Sequence, residues 1–185
     1  MQSTKERIIQ AAIEVFFQRG FDAASMRAIS EQAGVTKPMI YYHFKNKEAL
    51  YIQLLEEHLE VFCGKLETLL ASDDEYEKLF CAVIDLYEAT FSQGVKIYHI
   101  IQREISGNGR LVDFLTEKYF SRIFLQLALF LQRGIDAGMV NPLLDSRLAG
   151  LSLSSILLFY FSQDNVLTRL SCYAEPEIFS GGSLR

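Results

Sequence analysis

Five side chains in one short window have the chemistry of a nucleic-acid contact: Thr36, Lys37, Tyr41, Tyr42 and His43, within SMRAISEQAGVTKPMIYYHFKNKEAL from Ser25 to Leu50. Lys37 and, just beyond, Lys47 bring charge to a phosphate, and Lys37 also suits a guanine edge. Ser25 and Thr36 stand where helices should begin, so a hydroxyl and free backbone N–H groups together offer an anion site. Tyr41 and Tyr42 each combine a ring for a thymine methyl with a hydroxyl for phosphate. His43 donates a hydrogen bond even when neutral. Met39 can touch a thymine methyl but carries no hydrogen-bond code. Singly, each residue has a plainer reading, because paired tyrosines on a helix are often partial core and lysines usually form a solvated face. Their joint spacing after one tight turn is what points to a major groove.

The elements that would position these residues are short helices. Ser3 with Glu6 fits a capping box, followed by Ile9, Ala12, Ile13 and Phe16 at helical spacing, and Gly20 closes that helix. Phe21 is expected to fold back beneath it. Ser25 caps a second helix with Ile29 and Ala33 inward, and Gly34 supplies the turn at low conformational cost. Thr36 is expected to cap a third helix, with Pro38 in its first turn and Ile40 and Phe44 pointing into a small core. Asn46 then caps a long fourth helix to about Leu70. Further on, Gly94 and Gly107-Asn108-Gly109 read as breaks. A helix is expected from about Arg110 to Ala137, ending at Gly138, and Asn141-Pro142 is a firm stop. Asp145 or Ser146 caps an apolar helix carrying Leu148, Leu151, Ile156, Leu157 and Phe159. A last helix is expected over Asn165 to Tyr173. The fold class is all-α: a three-helix head over residues 1–47 on a larger helical body over residues 48–185.

Composition separates the two parts. The 185 residues are 50% hydrophobic and carry a net charge of −5. That total hides a head of +3, with seven Lys/Arg against four Asp/Glu, and a body of −8. Salt screening confines the head's field to roughly 8 Å, so an acidic body does not forbid phosphate binding. Cys63, Cys81 and Cys172 have no metal-ligand spacing, and their odd number with a polar N-terminus reads as reduced, cytoplasmic thiols. The longest uncharged run, between Arg147 and Asp164, has 16 residues including four serines, short of the roughly 20 that span a membrane. No paired acid and base, activated nucleophile, metal cluster or phosphate loop stands out, so the chain does not read as an enzyme and implies no cofactor.

The pattern AGVTKPMIYYHFKNKEALY, from Ala33 to Tyr51, preceded by Ile8–Gly20 with its Phe16-Phe17, resembles the DNA-binding domain of TetR-family transcriptional regulators. The resemblance covers roughly the first 50 residues. It implies a ligand-responsive homodimer, usually a repressor, that places a recognition helix in each major groove of a palindromic operator. It ranks Lys37, Tyr41, Tyr42, His43 and Lys47 as the DNA contacts, with Thr36 and Arg27 next. It implies a mostly apolar effector pocket in the body, for which Phe62, Tyr87, Phe91, Tyr98, Phe124 and Phe161 are candidates, with His58, His99, Gln102 and Glu104 as polar anchors. Most of the ten phenylalanines after Lys47 have the plainer reading of ordinary core. It also implies that Leu148, Leu151, Ser155, Ile156 and Phe159 lie on one half of a four-helix dimer interface, where small residues permit close approach. A small-molecule carrier or interaction module that has lost specific DNA binding is the alternative.

Overall fold

The computed structural model describes residues 3–107, 109 and 111–162, and among these every regular element is helical. The chain divides into two compact units, Met1–Phe62 with Gly94–Phe114, and Cys63–Gln93 with Leu115–Arg185.

In the first unit, α1 (Thr4–Ala23) opens with the expected capping box. Glu6 N–H donates to Ser3 Oγ at 3.2 Å, and Ser3 N–H donates to the Glu6 carboxylate at 2.8 Å. Ile8, Ala12 and Phe16 repeat every four residues and are wholly buried. Gly20 adopts φ +73°, which breaks the helical path inside α1. The Phe21 ring turns back to stack on Phe16, with centroids 5.9 Å apart. Ser25 Oγ caps α2 (Met26–Ala33) by accepting from Ala28 N–H at 3.1 Å. Gly34 closes α2 in the left-handed region at φ +63°, where a Cβ would be strained. The short α3 (Lys37–His43) then lies on Ile40 and Phe44, both buried. Full burial of side chains such as Phe16, Ile29 and Ile40 stabilises this small core by about 1.5–3 kcal/mol each. Asn46 Oδ1 accepts from Ala49 N–H at 2.7 Å and caps α4 (Lys47–Leu70).

Two expectations change here. Thr36 occupies the cap position of α3, yet its hydroxyl makes no capping bond. The second helical residue is Pro38, so one of the two N–H groups that a cap can serve is missing. Gly94 does not end its helix. The helix α5 (Tyr76–Ser106) runs through it with a local kink at φ −125°, ψ 27°. A lone glycine costs only about 1 kcal/mol of helix propensity, which weakens a helix without stopping it.

The span expected as one helix from 110 to 137 forms α6 (Val112–Leu115), a π-helical turn (Thr116–Phe120) and α7 (Ser121–Asp136). Helical dihedrals at Leu115, Phe120 and Ser121 carry the chain through. Gly138 ends α7 at φ +72°, and Asp145 Oδ1 caps α8 (Ser146–Ser162) by accepting from Arg147 and Leu148 N–H at 2.9 and 3.1 Å.

In the second unit α7 packs against α8, most closely at Gly150, where a Cβ would stand 2.9 Å from the Ala128 nitrogen. Gly134 leaves room for the Tyr76 ring, which stacks on Phe130 at 4.6 Å. Arg133 donates to the Leu70 carbonyl at 2.7 Å, finishing the C-terminus of α4, and Arg122 pairs with Glu67 at 2.9 Å. The helix expected over Asn165 to Tyr173 lies outside the described residues.

Candidate nucleic-acid interface

The packing of α3 leaves one row of side chains outward. Ile40 is its one buried residue, while Tyr42 is 82% exposed and Tyr41 45%. Lys37, Met39 and Thr36 are exposed too. Neither the Lys37 ammonium nor the Thr36 hydroxyl has a partner among the described residues, so the lost cap of Thr36 leaves its hydroxyl open at a helix N-terminus. The half-buried His43 ring meets Tyr42 edge-on at 5.1 Å, which restrains the more exposed ring. A helix with one apolar anchor and a rim of hydroxyls, an imidazole and a cation can enter a groove lined by phosphates.

The flanking residues are less free. The Arg27 Nε donates to Glu31 at 2.8 Å, and this carboxylate holds the guanidinium above even its ordinary range. The four Nη N–H groups of Arg27 remain for a phosphate. Ser25 is exposed, and its oxygen already accepts from Ala28.

Lys47 is used within the head. Its ammonium donates to the carbonyls of Phe21, Ala24 and Asp22 at 2.7, 3.0 and 3.3 Å and lies 4.3 Å from the Phe21 ring centre. Three acceptors match its three N–H groups, so a phosphate at Lys47 would have to displace one of them.

Sequence reasoning missed Arg7. Its guanidinium donates to the Ala33 and Gly34 carbonyls at 2.7 and 3.2 Å, bracing the turn between α2 and α3. The two ends are 26 residues apart, and no local periodicity marks the pair.

The residues expected around an effector are divided. Phe62, Tyr98, His99 and Gln102 belong to the first unit, and Tyr87, Phe91 and Phe124 to the second. Tyr87 and Phe91 are buried and stacked at 6.3 Å. The Tyr87 hydroxyl lies 3.2 Å from Ser154 Oγ, and burial pushes its pKa up to about 12 against a smaller opposing effect of that hydrogen bond. Phe124 is half-buried, and the Phe161 side chain lies outside the described residues. Of the expected polar anchors, His58 donates to the Leu54 carbonyl one helical turn back at 2.8 Å, and His99 packs on Phe17 at 5.6 Å. Glu104 accepts from Tyr51 at 2.8 Å. A surface groove of about 610 Å³ runs over Glu67, Leu70, Phe130, Arg133 and Asp136 in the second unit, and none of the expected effector residues lines it.

On α8, Leu148, Leu151, Ile156 and Phe159 are 53–65% exposed, and Ser155 is exposed as well. No group of His, Cys, Asp and Glu among the described residues has a metal-binding arrangement, and no described helix is long and apolar enough to cross a membrane.

Residues 8–54 match the family model of bacterial regulatory proteins, tetR family. This N-terminal segment is similar to the DNA-binding domain of TetR-family regulators. The chain is 38% identical to the HTH-type transcriptional activator FasR of Mycolicibacterium smegmatis over 78 residues, 42% of this chain and 36% of FasR. It is 29% identical to the probable HTH-type transcriptional regulator YttP of Bacillus subtilis over 135 residues, 67% of this chain and 64% of YttP. The chain thus spans less than two thirds of the length of either relative. Its fold matches the crystal structure of the regulator FadR from Bacillus subtilis in complex with stearoyl-CoA, at a TM-score of 0.72 and 23% identity, over 88% of both chains.

Proposed function

We propose that this chain is a TetR-family, ligand-responsive transcriptional regulator that binds a palindromic operator as a homodimer and is released by a small lipophilic effector. The observation that carries the DNA-binding part is the outward row of α3, with Lys37 and Thr36 unpartnered and Tyr42 the most exposed aromatic residue among the described residues. Lys37, Tyr41, Tyr42 and His43 are the principal contacts in this reading. Ser25, Thr36 and Arg27 add phosphate contacts, and Lys47 does so after giving up a carbonyl. The functional boundary falls at Lys47, where the head ends and α4 begins.

The dimer is supported by the apolar exposure of α8. Leaving Leu148, Leu151, Ile156 and Phe159 in water forfeits about 25 cal/mol for each Å² of apolar surface, which a second copy of this helix would recover. Two heads on half-sites about 34–36 Å apart, or a multiple of that, gain the specificity that one short helix lacks. Repression by default and release by the effector is the preferred sense. FasR, an activator, shows that its relatives include the opposite outcome. The effector class to test first is a long-chain acyl thioester, because the FadR of similar fold is solved with stearoyl-CoA. Tyr87, Phe91 and Phe124 are the apolar contacts we assign in the second unit; in the first we assign Phe62 and Tyr98 as apolar candidates and His99 and Gln102 as polar anchors.

Effector binding acts through α4, which contributes residues to both units, and changes the spacing of the two heads. A 100-fold loss of operator affinity requires the effector to favour the released state by about 2.7 kcal/mol. Leu54 and Leu55, both fully buried on α4, are placed to influence this step. Leu54→Ala should change the effector concentration for half-release more than the affinity for DNA without effector. Titrating protein–operator complex with stearoyl-CoA, free stearate and CoA tests the effector class. Release by none of the three rejects it.

A further inference from the structure

α1 is kinked near its end. Gly20 departs from helical dihedrals, and α1 has no basic residue in its last turn to meet the negative end of its dipole. A cation comes from α5. Arg103 Nη1 donates to the Phe16 carbonyl and Nη2 to the Phe17 carbonyl, each at 3.2 Å. One guanidinium fork thus bridges two successive carbonyls through two parallel N–H groups.

Other contacts join the same two segments. Glu104, next to Arg103, accepts from the Tyr51 hydroxyl of α4, and the Tyr51 ring packs edge-on against both Phe16 and Phe21 at 4.8 Å. Lys96 pairs with Glu14 of α1. All these residues follow the Gly94 kink of α5, lie in the head or, as Tyr51, open α4, and all belong to the first unit.

We propose that the part of α5 after Gly94 is a working piece of the DNA-binding head, with Arg103 a positioning residue for α3. By fixing the end of α1, Arg103 fixes the chain that runs directly into the Ser25 cap of α2 and, through the Gly34 turn, into α3. The proposal rests on the DNA-binding reading of α3 and adds to it a residue that touches no DNA.

The test uses the full chain with Arg103→Ala and Arg103→Lys, and a duplex selected from a random library by the unsubstituted protein. Affinity is measured well below each variant's unfolding midpoint, at several salt concentrations, alongside circular dichroism and amide hydrogen exchange over residues 16–44. Arg103→Ala should keep its helix content and bind the duplex about tenfold more weakly, the scale of one lost charged hydrogen bond. It should lose exchange protection at the end of α1 and in α3, with the salt slope unchanged. Arg103→Lys should recover part of the affinity. Unchanged affinity in Arg103→Ala overturns the proposal. So does a salt slope smaller by about one with unaltered exchange, which marks a direct phosphate contact. A protein that selects no duplex overturns the DNA-binding reading itself and this proposal with it. One that selects a duplex and is indifferent to Arg103 overturns this proposal alone.

Discussion

The helices α3 and α8 both leave most of their described side chains in solvent, with opposite chemistry. On α3, beside the apolar Pro38 and Met39, the exposed residues end in polar groups: an ammonium at Lys37 and hydroxyls at Tyr41 and Tyr42. Water solvates that face well, and a polyanion can replace the water without stranding a polar group. On α8 the large exposed residues are Leu148, Leu151, Ile156, Leu158, Phe159 and Tyr160, with Arg147, Ser152 and Ser155 exposed among them, while Leu157 is buried and Gly150 allows close contact with α7. That face loses free energy in water, and its large side chains are predominantly apolar. One surface is suited to phosphate and base edges, the other to a surface like itself. The same degree of exposure therefore marks two different partners, and side-chain chemistry separates them.

The largest expected effect breaks the α8 half of this contrast. Ile156, 63% exposed, should tolerate aspartate in a folded monomer, yet Ile156→Asp should raise the dimer dissociation constant at least 100-fold, about 3 kcal/mol, in sedimentation equilibrium. A dimer of unchanged affinity would mean that α8 faces something else.

Gly150→Val sharpens the contrast from the buried side. Its Cβ would meet the Ala128 backbone, so thermal unfolding should show a loss of about 2–3 kcal/mol. An unshifted midpoint would mean that α7 and α8 are not held this closely.

On α3, Lys37→Ala and Tyr42→Ala should each weaken operator binding by about 1–3 kcal/mol while leaving the melting temperature in place, since both side chains are exposed. Lys37→Ala should also lower the salt slope by about one, and Tyr42→Ala should not. Equal affinity in both variants would remove α3 from the interface.

The smallest effect tests a residue that belongs to neither surface. Tyr87→Phe deletes the hydroxyl facing Ser154 and should cost about 1 kcal/mol of stability near neutral pH. Folding raises this hydroxyl's pKa from 10 to about 12. The stability tied to its protonated form is whole below pH 10 and is lost as pH rises through about 12. Melts of Tyr87→Phe should accordingly depend less on pH above 10 than those of the unsubstituted protein.

Local signals in the sequence were enough for the head. Ser3 with Glu6, Ser25, Gly34 and Asn46 mark helix ends through contacts of a few residues, and each falls where those contacts require. Thr36 shows the limit, because a proline two positions on removes a donor that the cap rule assumes. Gly94 shows another: a glycine weakens a helix, and the neighbouring residues decide whether the weakness becomes an end or a kink. The α3 contacts were legible because they lie within one helix after one turn. Arg7, Lys47 and Arg103 were not read as braces, because each acts on carbonyls of residues distant in the chain. For the body, aromatic content alone says that Tyr87, Phe91 and Phe62 are apolar. It does not say that the first two stack in one unit while Phe62 sits in the other.

The central claim is that the outward row of α3 reads DNA. The direct measurement is a binding titration of the purified protein against the duplex flanking its own gene, at two salt concentrations, beside a scrambled duplex of the same composition. The account predicts tight binding to the first duplex, at least 1000-fold weaker binding to the second, and an affinity that falls as salt rises. Weak binding that is equal on both duplexes, repeated with a duplex library drawn from the whole genome, would contradict it.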